Sequence, residues 1–286
     1  MEKEPRLPAN GRSLADLLTE VCARRDDLVL YERTPKVHDY DEKHLLVERI
    51  SCVDADGNIT ESYPQLLVMK DVFRNKKGRI MFFTSYQAII HCEQEGYFLP
   101  TSQETSAIVA ALNKKRDNPQ AHKVLVQYKY NNPGNGWHAQ NTVIDYGAQK
   151  IIHYPVDADF PSHGGTANLN ASCPTIELPF KKKAGVFPFT NKKLETMTLE
   201  EGLNHPLVSA FVKQFTGLAD PSVLVEVGKY FQKPAKVWFP TSPIKVEDRT
   251  ETRAAWFGCS SSYLNLDGSF SLRGDYAGRG VKLVTP

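Results

Sequence analysis

Behind Ser13, a residue suited to capping a helix, the apolar residues Leu14, Leu17, Leu18 and Val21 fall on one stripe and predict a short amphipathic helix. The period then changes. Residues 45–53 and 59–68 are rich in β-branched and aliphatic side chains, and Asp54-Ala55-Asp56-Gly57 between them reads as a hairpin turn. The same acids resemble the start of a calcium loop, but the later ligands and the closing Glu are missing.

Two helix starts follow in quick succession. Thr84 with Gln87 forms a capping box ahead of an apolar stripe of Tyr86, Ile89 and Ile90, and Gly96 stands where that helix would stop. Thr101 with Glu104 forms a second box and opens a helix with Ile108, Val109 and Leu112 inward. From 124 to 154 short apolar runs alternate with turn signals, notably residues 131–136 and Tyr146-Gly147, which predicts paired strands. Residues 155–196 hold many Pro, Gly, Asn and Lys without a period and read as an insertion on the domain surface. Beyond it, Thr198 with Glu201 opens a helix burying Leu203, Leu207, Phe211 and Phe215, and Asp220-Pro221 opens another burying Leu224, Val227 and Phe231. Val237-Trp238-Phe239 reads as a buried strand, and no internal repeat is visible.

Composition narrows the function classes. The 286 residues include 35 basic and 33 acidic ones, a formal charge of +2, far from the balance of a protein whose affinity comes from neutralising phosphates. Nucleic acid is therefore not an expected partner, and the basic runs at residues 181–183 and 192–193 read as solvated loop lysines. Cys22, Cys52, Cys92, Cys173 and Cys259 show no C-x-x-C spacing, so neither a zinc ribbon nor a disulfide framework is expected, and most read as buried thiols. Residues 1–10 lack an apolar signal core, and no run approaches the ~18 apolar residues of a membrane span. The expectation is a soluble product made in the cytoplasm with no membrane insertion.

His153, Asp157, Asp159 and His163 are candidate ligands for zinc, iron or manganese, but their spacing matches no helical ligand motif, and no metal or other cofactor is assigned. Trp137-His138 reads as a strand end with a partly buried aromatic.

The passage Gly96-Tyr97-Phe98-Leu99-Pro100-Thr101 between two helices resembles the "helix, G-x-x-L-P-T, helix" of the formylglycine-generating-enzyme branch of the C-type lectin fold. The chain's end resembles that branch's closing strands: Arg253-Ala254-Ala255-Trp256, a loop-rich stretch, then Gly278-Arg279-Gly280-Val281-Lys282-Leu283-Val284. The resemblance implies an α+β, C-type-lectin-like fold with an N-terminal segment over 1–66 that is either an attachment or part of the fold. The lectin-like domain would span 67–286, with an insertion at about 155–236 and a variable region at about 258–276.

Within that branch the chain is most similar to the variable proteins of diversity-generating retroelements, in which miscopied adenines turn AAC codons into NNC. NNC never encodes Lys, Glu, Gln, Met or Trp. Residues 260–275 contain none of these five types, which make up roughly a fifth of the chain, so a given window of this length would avoid them about once in thirty. The run lies between the two closing strands, where the family carries its variable residues. The resemblance thus implies a ligand-binding surface of Ser260, Ser261, Ser262, Tyr263, Asn265, Asp267, Ser269, Phe270, Ser271, Arg273 and Asp275. Leu264, Leu266 and Leu272 would alternate inward, with Trp256, Phe257, Val281 and Leu283 packed beneath. Aromatic residues and Arg dominate binding hot spots, so Tyr263, Phe270 and Arg273 are the expected anchors. The implied partner is a protein or glycan on a target cell surface, met from a virion fibre or a cell surface. The alternative is catalysis, because relatives of this fold oxidise a sulfatase cysteine or use iron to join sulfur to histidine derivatives. The oxidising relatives resemble one another in a close cysteine pair near the C-terminus, where this chain offers Cys259 without a neighbour. No catalytic residue is assigned.

Overall fold

The alternating segments from residue 35 onward build a first sheet. β1 (Lys36–Asp39), β2 (His44–Val53) and β3 (Ile59–Met69) run antiparallel to one another, and Leu45, Val47, Cys52, Leu66 and Val68 are buried beneath them. Gly57, at φ 86°, supplies the left-handed residue that the β2–β3 turn needs, and the Asp54 carboxylate accepts from the Asn58 amide at 2.8 Å. The computed structural model describes residues 35–54, 57–129, 136–145, 150–154, 175–177, 198–238, 252–260, 262–270 and 276–284. The helix expected behind Ser13, Cys22 and Cys173, and all of 155–196 except 175–177, lie outside these residues.

A loop leads to β4 (Phe82–Phe83) and then to α1 (Ser85–Gln94) and α2 (Ser102–Lys114). Both predicted capping boxes form. The Thr84 and Thr101 hydroxyls accept from the Gln87 and Glu104 amides, and Gln87 and Glu104 reach back to the cap amides at 3.0 and 2.7 Å. Gly96, at φ 71°, ends α1. The buried face of α1 is Ser85, Ala88, Ile89 and Cys92, so Ile90, expected inward, is 36% exposed. α2 is buried from Ser102 to Asn113, as befits a helix clad on all sides.

One expectation fails next. Residues 124–129 are not strand but the second half of α3 (Pro119–Lys129), whose buried Ala121, Val124, Leu125 and Tyr128 recur at helical spacing. The predicted strand pairing begins only with β5 (Gly136–Asp145), which pairs antiparallel with β6 (Lys150–His153); β6 in turn pairs with β7 (Thr175–Glu177). The helix expected from Thr198 is two: α4 (Leu199–Gly202) and α5 (Pro206–Thr216), divided where Pro206 cannot donate to the preceding turn. α6 (Ser222–Phe231) and β8 (Ala235–Trp238) then follow.

β9 (Thr252–Cys259), β10 (Leu264–Phe270), β11 (Tyr276–Ala277) and β12 (Val281–Leu283) complete two sheets among the described residues. One has the order β1-β2-β3-β12, the other β4-β11-β5-β9-β10-β8 with β6 and β7 beside β5. The molecule is thus an α+β fold with two sheets. β3 crosses residues 66 and 67, so the β2–β3 hairpin is integral with the sheet that also holds the C-terminal β12. Phe211, Phe215, Leu224 and Phe231 share one core with Ile108, Leu112, Leu264 and Leu266, as their helical spacing predicts. No helix among the described residues is long and apolar enough to cross a membrane.

Candidate functional site

The candidate surface is the hairpin of β9 and β10. The strands pair in the register Leu264↔Cys259, Leu266↔Phe257 and Asp267↔Trp256, with an irregularity between Asp267 and Phe270. Trp256, Phe257, Leu264 and Leu266 are all buried, as expected of the scaffold. The loop of residues 260–263 closes the hairpin: the Ser260 amide donates to the Tyr263 carbonyl at 2.9 Å, and the Ser260 hydroxyl accepts from the Tyr263 amide at 3.1 Å. Ser262 is exposed and Tyr263 half-buried.

Residues remote in sequence form the bed beneath this turn. The Leu264 amide donates to the Pro234 carbonyl at 3.1 Å, the Lys233 ammonium donates to the Ser260 carbonyl, and the Lys236 ammonium lies 4.8 Å from the centre of the Tyr263 ring. Sequence reasoning missed all three, because they meet the turn through the parallel β8–β10 pair, which carries no local signal. A cleft of about 300 Å³ opens beside Lys233, lined by Val225, Gly228, Lys229, Gln232 and Pro234 among others.

The expected alternation fails at Asn265. It is 2% exposed, in register with Gly258 of β9 on one side and Lys236 of β8 on the other. Leu283, expected inside, is 51% exposed at the outer end of β12, where Val281 alone turns fully inward. The backbones of Asp267, Ser269 and Phe270 lie on β10, but their side chains are outside the described set, as are Ser261, Ser271, Leu272, Arg273 and Asp275 entirely. Of the expected anchors Tyr263, Phe270 and Arg273, Tyr263 alone has a described side chain, and of the other predicted surface residues Ser260 and Ser262 are described at the turn.

Two of the passages that carried the family resemblance meet where the sheets adjoin, while Arg253–Trp256 lies on β9 within the second sheet. Phe98, in the link between α1 and α2, bridges to Val281 of β12, and the Pro100 carbonyl accepts from Asn141 of β5 at 2.9 Å. Arg279, between β11 and β12, is buried; its guanidinium donates to the Met69 carbonyl and to Gln127 Oε1, and lies 5.2 Å from the Tyr128 ring centre. Burial pulls its pKa below the ordinary arginine value.

Of the residues considered for catalysis or metal binding, the described Cys259 and His153 are buried inside the fold. Cys259 is buried, and burial pushes its thiol up to about 12, despite the nearby charges of Lys233 and Lys129. Such a thiol carries almost no thiolate near neutrality. His153 is buried on β6, with Nδ1 2.9 Å from the Thr142 hydroxyl and Nε2 3.3 Å from the Gln214 carbonyl. Both ring nitrogens are occupied, which fixes the neutral tautomer with the proton on Nε2. Asp157, Asp159 and His163 lie outside the described residues, and among the described residues no three His, Cys, Asp or Glu side chains converge. His138 is buried, tilted over Tyr128 at 4.3 Å between ring centres, and its pKa is held well below the usual histidine value by burial and by Arg279. The side chain of Trp137 lies outside the described set. No family model, curated protein or solved structure matches the chain.

Proposed function

We propose that the chain is a ligand-binding display protein with a C-type-lectin-like fold, whose surface at about 258–276 is diversified by a retroelement and recognises a protein or glycan on a target cell. The observation that carries the reading is the construction of the β9–β10 turn. Its shape rests on the Ser260–Tyr263 main-chain bond, on the Ser260 hydroxyl and on Lys233 and Pro234, while the apolar side chains that hold the hairpin belong to Trp256, Phe257, Leu264 and Leu266. Side chains at positions 262 and 263 can therefore change without emptying the core, which a display surface requires. Asn265 does not share that freedom and is better read as scaffold.

The NNC alphabet supplies Tyr, Ser, Gly and Asn, the residue types that combine rigid aromatic contact with adaptable hydrogen bonding. A patch of about ten residues is smaller than the 20–30 residues per side of a standard interface, so single-site affinity would be modest and raised by multivalent display. Sequencing the locus tests the origin of the surface. The codons for the varied positions should end in C, and a near-identical template with AAC at those positions should lie beside a reverse-transcriptase gene. A locus without template and reverse transcriptase would remove the retroelement from the account.

A further inference from the structure

The charge of this chain is unevenly placed. Residues 72–92 contain Arg74, Lys76, Lys77 and Arg79 and no Asp or Glu, which leaves 31 basic and 33 acidic residues elsewhere. Counting Asp71, which pairs with Arg74, residues 71–92 carry a formal charge of +3 and the rest of the chain −1.

The lobe is rigidly built. Arg74 and Ile80 form a bridge, the Asn75 amide donates to the Arg79 carbonyl at 2.9 Å, and the Asn75 side chain accepts from the amides of Lys77 and Arg79. Gly78 makes the reversal at φ 73°. Arg74 is committed to Asp71 at 2.7 Å and to the Gly78 carbonyl. The side chains of Lys76, Lys77 and Arg79 are exposed and, among the described residues, make no ion pair or hydrogen bond.

The strand and helix that follow this turn carry exposed apolar groups. Phe82 on β4 is 49% exposed, and Ile90, on the helix α1 that packs against β4, is exposed too. A turn of unpaired cations next to an exposed aromatic suits an interface that offers phosphate charges and an apolar layer together.

We infer that this lobe docks peripherally on an anionic phospholipid surface, with Lys76, Lys77 and Arg79 among the headgroups and Phe82 entering the boundary beneath them. A nucleic acid would favour cations spread along a groove; here they crowd one convex turn. The placement leaves the far side of the molecule free, because β4 and β8 are opposite edges of one sheet and the β9–β10 hairpin neighbours β8. The inference stands on charge and exposure and does not need the retroelement reading.

Co-sedimentation of the full chain with vesicles tests it. Binding is expected to vesicles of phosphatidylcholine with phosphatidylserine, to be absent with phosphatidylcholine alone, and to fade in high salt as the charges are screened. Each cation near such a surface is worth about fivefold, so Lys76→Ser, Lys77→Ser and Arg79→Ser together should weaken binding about a hundredfold. Phe82→Ser alone should weaken it less. All four positions are exposed, so melting temperature should match the parent chain and a folding defect would be visible. Equal binding by the triple variant, no binding to the anionic vesicles, or retention by a single-stranded oligonucleotide in place of vesicles would each overturn the inference.

Discussion

His153 is held neutral by its surroundings. Burial lowers its pKa from the ordinary 6.5 to about 4, and only partly is this offset by the Gln214 carbonyl. The sign follows from linkage: above pH 6.5 neither the folded nor the unfolded chain is protonated there, and the fold keeps its full stability. As pH falls from 6.5 toward 4 the unfolded chain takes up a proton that the fold refuses, removing about 3 kcal/mol. His138 titrates in the same direction, so the informative comparison is between the parent chain and His153→Gln. Urea melts from pH 7 to 4.5 should show a shallower loss in the variant; identical slopes would mean that His153 is not the group being titrated. The residue types were legible in the sequence at this scale, but their surroundings were not. His153 looks like a metal ligand beside Asp157 and Asp159, and its described partners Thr142, Ser102 and Gln214 come from three other elements.

At the scale of elements, the helix starts were the clearest signals, because a capping box is a local arrangement of four residues. Thr101 is both cap and buried, and Thr101→Ala strands the Glu104 amide; the expected cost is about 1–2 kcal/mol by chemical denaturation, with Thr101→Ser retaining most of it. A loss below experimental error would show that the cap is redundant. α3 was misread because Val124, Leu125 and Val126 look like a strand in isolation, although Asn118-Pro119 marks a helix start and the Asn118 side chain does accept from Gln120 and Ala121. Asn265 was misread for a different reason. Alternation holds for a strand with one face in water, whereas Leu264, Asn265 and Leu266 are buried in succession, so both faces of β10 are closed at that point.

Across the whole molecule, the first and last strands share a sheet: β12 pairs with β3, and the link before it carries the buried Arg279 to Met69 and Gln127. Such closure is not legible from local pattern, since β3 and β12 are separated by almost the entire fold; the resemblance to closing strands was the one sequence clue. The proposed variable hairpin belongs to the other sheet, where the buried Trp256, Phe257, Leu264 and Leu266 hold it. The account's central claim is therefore a separation of binding from stability. The most direct measurement takes Tyr263→Ala, Phe270→Ala and Arg273→Ala in one chain and records both binding to a cell surface that the parent chain recognises and thermal melting. Binding should be abolished while the melting temperature stays nearly unchanged. A collapse in melting temperature, or binding that survives the triple substitution, would contradict the account.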